Sequence, residues 1–156
     1  MPRSRRTRAK RRRRARDEPR RRLARPADAE ARLLALAREV AALPADATLG
    51  DVMRLLTRAH APDAPLPRVV GQAWVRSRDD KTAALALAWA REQVRLAVEE
   101  RLLRTPARVA IAADPATRAW LLLAAAESIA REAPEAAADR LRTLFELTGQ
   151  VPPPTT

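Results

Sequence analysis

The 156-residue chain has no cysteine, no tyrosine, a single phenylalanine, a single histidine and three glycines. Without cysteine it forms no disulfide and offers no thiolate, which agrees with an intracellular setting. One histidine, His60, excludes multi-histidine metal sites and most histidine-based catalytic constellations. Long apolar runs are also missing. The longest, Ala83–Ala90 and Ala119–Ala126, are eight residues each, where a membrane helix needs about 20. No apolar stretch follows the Arg5-Arg6 pair, so neither a secretory nor a twin-arginine signal is expected. The N-terminus is too poor in apolar side chains for the amphipathic helix of an organelle transit peptide. Membrane insertion is therefore not expected.

What is present is arginine, and it is unevenly placed. The formal net charge is +12, from 31 Lys+Arg against 19 Asp+Glu. Residues 1–25 hold 14 of the basic residues and only two acidic ones, Asp17 and Glu18, so the rest of the chain, with 17 of each sign, is formally neutral. This tail has almost nothing to bury and is expected to be disordered when free. Its guanidinium groups pair bidentately with phosphate and stay charged at any accessible pH. Arg3, Arg5, Arg6, Arg8, Lys10, Arg11, Arg12, Arg13, Arg14 and Arg16 are the residues expected to bind a polyanion by counterion release. An anionic membrane or partner surface, or mere solubilisation, are the other readings. Phosphate contacts orient a protein without reading bases, and the tail lacks the interleaved aromatics of a single-strand stacking platform.

Scarce glycine, few β-branched runs and abundant Ala, Leu and Arg predict an all-α fold. We expect a single helical-bundle domain of about six to seven helices. The chain divides into a basic tail (1–26), a helix-turn-helix-like region (27–78), a helical core and dimerisation region (79–150) and a frayed end (151–156). Prolines and capping residues set the expected elements. A first helix runs from Asp28 to Leu43, with Leu33, Leu36, Val40 and Leu43 on one face. A second opens at Thr48 with a capping box to Asp51 and turns Val52, Leu55, Leu56 and Ala59 inward. Ala61–Pro67 reads as a stiff connector, and a third helix from Pro67 to Ser77 buries Val70, Ala73 and Trp74. Asp79-Asp80 leads into a long helix from Lys81 to Arg104. A short helix over Ala107–Ala112, an apolar one over Ala116–Glu132 and a last one from Pro134 complete the set. The last is given Leu141, Leu144, Phe145 and Thr148 as its face and Gly149 as its stop.

Arg68, Gln72 and Arg76 recur at four-residue steps and share a face of the third helix. Arginine and glutamine make bidentate contacts with guanine and adenine edges in the major groove, so these three are the candidate base readers, against the plainer reading of a solvated amphipathic face. The seven-residue connector exceeds the three or four residues usual in a helix-turn-helix. Catalysis has little support. Adjacent acidic pairs such as Glu99-Glu100 diverge by about 100° on a helix, and with Arg91, Arg95, Arg101 and Arg104 they read as a solvated, ion-paired surface. His60 is expected to be exposed. No enzyme activity, metal or cofactor is expected.

Ala31-Arg32-Leu33-Leu34-Ala35-Leu36-Ala37-Arg38-Glu39, followed by Ala47-Thr48-Leu49-Gly50-Asp51-Val52, resembles the opening of TetR-family transcriptional regulators. Asp79-Asp80-Lys81-Thr82-Ala83-Ala84-Leu85 is similar to the lead-in to their long fourth helix, and Asp114–Ala124 to a late helix of their ligand-binding domain. The glycine of the family's turn and its Tyr-x-x-Phe pair have no counterpart. The resemblance implies a cytoplasmic, nucleoid-associated DNA-binding regulator, with DNA favoured over RNA, and a homodimer is expected through the last two helices, whose Ala- and Leu-rich surfaces exceed what a single amphipathic stripe needs. The resemblance also implies a small-molecule effector, for which Trp89, Trp120 and Phe145 would line a pocket, although aromatics spread over helices more often fill a core. The alternative is a non-enzymatic helical adaptor or assembly protein that binds DNA or RNA without sequence specificity.

Overall fold

A computed structural model describes residues 25–104, 114–129 and 131–147. The expected disorder of the tail, the short helix over 107–112, and the roles given to Thr148 and Gly149 lie outside the described residues. Those residues form six α-helices and one 3-10 turn, with no strand among them, an all-α domain.

Helix α1 is Pro26–Ala41. It begins two residues earlier than the spacing predicts, because proline is tolerated at a helix's first position, where the missing N–H costs nothing. The Asp28 carboxylate accepts from the Arg25 backbone N–H at 3.1 Å and pairs with the Arg25 guanidinium. α1 buries Ala29, Leu33, Leu36, Ala37 and Val40. It stops at Ala41 rather than Leu43, since Pro44 disfavours helical backbone just before it.

Helix α2, Leu49–Ala59, is opened by the expected box. Thr48 Oγ1 accepts from the Asp51 N–H at 3.2 Å, and the Asp51 carboxylate accepts from the Thr48 N–H at 2.8 Å. Helix α3 is Pro65–Arg76. Its first three N–H groups need no intrahelical partner, so Pro65 and Pro67 both fit inside its first turn. The connector shortens to His60–Ala64 as a result. A 3-10 turn, Ser77–Asp79, follows. Asp80 Oδ1 then accepts from the Ala83 N–H at 3.0 Å to start α4, Lys81–Arg104.

α4 is the spine. It packs along α1 on one side and against α5, Pro115–Ile129, on the other. α5 is capped by Asp114, which accepts from the Thr117 N–H at 2.9 Å. α6, Pro134–Leu147, closes on α5 and α2, with Ala137 and Leu144 turned inward. The main core joins Leu33, Leu36 and Val40 of α1, Val52, Met53 and Leu56 of α2, Val94 and Val98 of α4, and Leu123 of α5. It crosses residues 78 and 79, so the two expected regions share one core. A smaller cluster of Ala29, Val69, Ala73 and Leu87 seats α3 against the start of α1.

Several side chains point elsewhere than expected. Trp74 is 39% exposed, and Trp89 and Trp120 are about half exposed, while the core is closed by Ala, Val, Leu and Met side chains. Arg101, assigned to the solvated surface, is 4% exposed. Its guanidinium donates to the carbonyls of Val40 at 3.1 Å, Pro44 at 2.9 Å and Ala41 at 2.6 Å, and to that of Leu43. It closes the C-terminus of α1, whose last carbonyls have no helical donor.

Candidate functional site

α3 turns Leu66, Val69 and Ala73 inward and carries the candidate base readers on its other side. Arg68 and Arg76 are exposed and Gln72 is half-buried, with exposed Gly71 and Val75 nearby on the helix. Arg78 in the 3-10 turn and Lys81 at the head of α4 are exposed too and extend this basic edge, with exposed Asp79 and Asp80 between them. Arg78 and Lys81 were legible only as the continuation of the same charge pattern past the end of the helix.

The arm's first ten candidate residues, Arg3 through Arg16, lie outside the described residues. Its root does not. Ala29, in the first turn of α1, packs with Val69 and Ala73 of α3, so the described chain begins beside α3. α2 and α3, however, find their main packing on different helices, α2 on α5 and α3 on α1. In a helix-turn-helix the first helix braces the second.

Of the expected pocket residues, Trp89 lies in a shallow groove between α1 and α4 with Leu34 and Leu96. Trp120 faces outward from α5. Phe145 belongs to α6, and its side chain is outside the described residues. Neither tryptophan lines the cavity of about 540 Å³ that opens between α3, the connector and the α4–α5 pair. Leu33, Leu66, Val70 and Trp74 give it apolar walls. At its polar side Arg91 holds Glu127 bidentately, Nε to Oε1 at 2.7 Å and Nη2 to Oε2 at 2.8 Å, and this bond raises the Arg91 guanidinium above its ordinary value.

His60 lines the same cavity and is only 5% exposed, contrary to the surface position expected for it. The last turn of α2 folds it back, so that Nδ1 lies 2.9 Å from the Leu56 carbonyl. A carbonyl only accepts, so Nδ1 carries the hydrogen and Nε2 is the acceptor atom of the ring. Burial pushes the imidazole below its ordinary value, with Arg91 acting in the same direction and the Leu56 hydrogen bond and Glu127 against it.

No protein-family model, curated protein or solved structure matches the chain. Among the described residues no helix is long and apolar enough to cross a membrane.

Proposed function

We propose that this chain is a DNA-binding protein, a TetR-like transcriptional regulator in its helix order, whose arginine-rich arm grips phosphates while the exposed face of α3 meets base edges. The observation that carries the reading is positional. All the net charge sits in an arm whose root, at Ala29, packs on the helix that presents Arg68, Gln72 and Arg76. Phosphate contacts supply affinity and register, and Arg68, Gln72 and Arg76 supply what sequence preference there is. Trp120 and Leu121 of α5 are exposed and give the later helices apolar surface for a second copy, as a cytoplasmic homodimer on the nucleoid would use. A second reading is favoured by the separate packing of α2 and α3: a helical adaptor whose arm holds DNA or RNA without preference.

Selection of sites from random duplex, followed by titration against bulk competitor DNA, separates the two. The regulator reading predicts an enriched site whose preference falls by roughly 1–3 kcal/mol per lost base contact in the double variant Arg68→Ala, Gln72→Ala. Enrichment of no site, or the same ranking of sites in the variant, decides for the adaptor.

A further inference from the structure

The cavity beside α3 is separate from the pocket assigned to Trp89, Trp120 and Phe145, and its lining has a definite chemical sense. Its volume of about 540 Å³ falls within the roughly 300–1,000 Å³ of sites that hold small molecules. The walls are apolar on three sides, from Leu33 on α1, Pro62 in the connector, and Leu66, Val70 and Trp74 on α3. Among the described residues Glu127 is the lining's one carboxylate, and its charge is balanced by the bidentate Arg91 guanidinium. The imidazole of His60, driven toward its neutral form by burial, adds no charge near pH 7. Two further guanidinium groups line the cavity, those of Arg68 and Arg131. Both residues are exposed, and neither has a carboxylate partner among the described residues. The uncompensated charge of the lining is therefore positive, set against a hydrophobic wall.

We propose that this cavity binds a small amphipathic monoanion, its apolar body against Trp74, Leu66 and Val70 and its carboxylate at the guanidinium groups of Arg68 and Arg131. The site shares Arg68 with the proposed base-reading face but does not rest on the nucleic-acid reading, because its readout is the binding of a small molecule to the folded domain. An apolar body in such a pocket gains from leaving water, while the charge-assisted hydrogen bonds to arginine select the acid over its neutral counterpart.

The test uses the full chain carrying Trp89→Phe and Trp120→Phe, two exposed positions, which leaves Trp74 as the sole tryptophan. Octanoate and 4-tert-butylbenzoate distinguish an aliphatic from an aromatic body, and 1-octanol and 4-tert-butylbenzamide are their neutral counterparts. The expected result is a saturable change in Trp74 emission with at least one acid, with binding about tenfold or more tighter than that of its neutral counterpart. A β-carbon added at Gly71 would meet nothing within 4 Å, so Gly71→Leu sets an apolar side chain at the cavity wall, where its β-carbon meets no clash. It is expected to abolish the response while circular dichroism stays unchanged. Arg68→Met with Arg131→Met should instead keep a weakened response and erase the preference for the acid, which keeps the proposal testable should the leucine variant fold poorly. No saturable response to either acid up to about 10 mM, the region of only some −3 kcal/mol of binding, would overturn the site. So would a response that Gly71→Leu leaves intact, which would assign the acid to the arginine-rich arm, or a preference for the acid that survives loss of both arginines.

Discussion

Arg101 shows how much of this fold hangs on one side chain that composition counts as surface. The helix α1 ends just before Pro44, where the Val40 and Pro44 carbonyls each accept one backbone N–H, from Leu43 and Ala47. The fork of one buried guanidinium, delivered from α4, donates to both of these and to the carbonyls of Ala41 and Leu43. Arg101→Met keeps the aliphatic stem and removes the donors. Hydrogen bonds to a charged group contribute about 1.5–3 kcal/mol, and stranded carbonyls add their desolvation cost. The variant should lose about 2–4 kcal/mol in urea unfolding, and Arg101→Lys should recover little of it, because an ammonium lacks the planar fork. A loss below about 1 kcal/mol would show that water reaches the junction. His60 carries a second residue-scale prediction. Burial lowers its proton affinity in the folded chain, so above the ordinary histidine value of about 6.5 it is neutral in both states and stability is fully present. As the pH falls below that value the unfolded chain takes up the proton first, and stability falls with it. Melting temperatures at pH 7.5 and 5.5 should therefore diverge more in the parent than in His60→Asn, which does not titrate.

At the scale of elements, the punctuation of the chain was legible and the direction of its side chains was not. Thr48, Asp80 and Asp114 cap helices where their types and spacings place them, because a cap is a local hydrogen bond that needs no tertiary partner. Removing one should cost what a cap costs: Thr48→Ala is expected to lose about 1 kcal/mol, read from the unfolding midpoint. The same box has a pH signature. Hydrogen bonds from the Thr48 hydroxyl first, then from the Thr48 N–H and Arg54, hold the Asp51 carboxyl down at about 2. Its contribution is present throughout the range above the ordinary carboxylate value and is lost only as the pH falls from there toward about 2. In Asp51→Asn that acid limb of the stability curve should flatten. Trp74, Trp89 and Trp120 are the opposite case. Each sits on a helix whose other faces supply the apolar side chains that close the core. That outcome depends on inter-helix distance, which spacing along one helix does not encode. Arg101 was hidden for the same reason, since the carbonyls it serves are some 60 residues away in the chain. The candidate face of α3 was readable because a four-residue repeat is itself a helical face. The cavity beside it was not, because its walls come from α1, the connector, α3, α4 and α5 together.

For the whole molecule, charge and fold are carried by different parts of the chain, and this makes their roles separable by a single cut. Arg25 is tied to Asp28 at the head of α1, so a deletion that preserves the domain should end at residue 24. The remaining chain is then nearly neutral, and the two core clusters begin at Ala29 and Leu33. Its unfolding free energy should match that of the full chain within about 0.5 kcal/mol, the range typical of surface changes. Binding should not survive the cut unchanged. If the arm engages six or more phosphates, affinity of the full chain for duplex DNA should drop by on the order of a thousandfold or more between about 50 and 200 mM salt. The shortened chain should retain only the slope of the few basic residues on the edge of α3, Arg68, Arg76, Arg78 and Lys81. Measured together, equal stability and a collapsed slope locate the affinity in the arm. A slope that persists after the cut would move the phosphate contacts onto the domain itself, where a basic edge interrupted by Asp79 and Asp80 would then have to account for all of them.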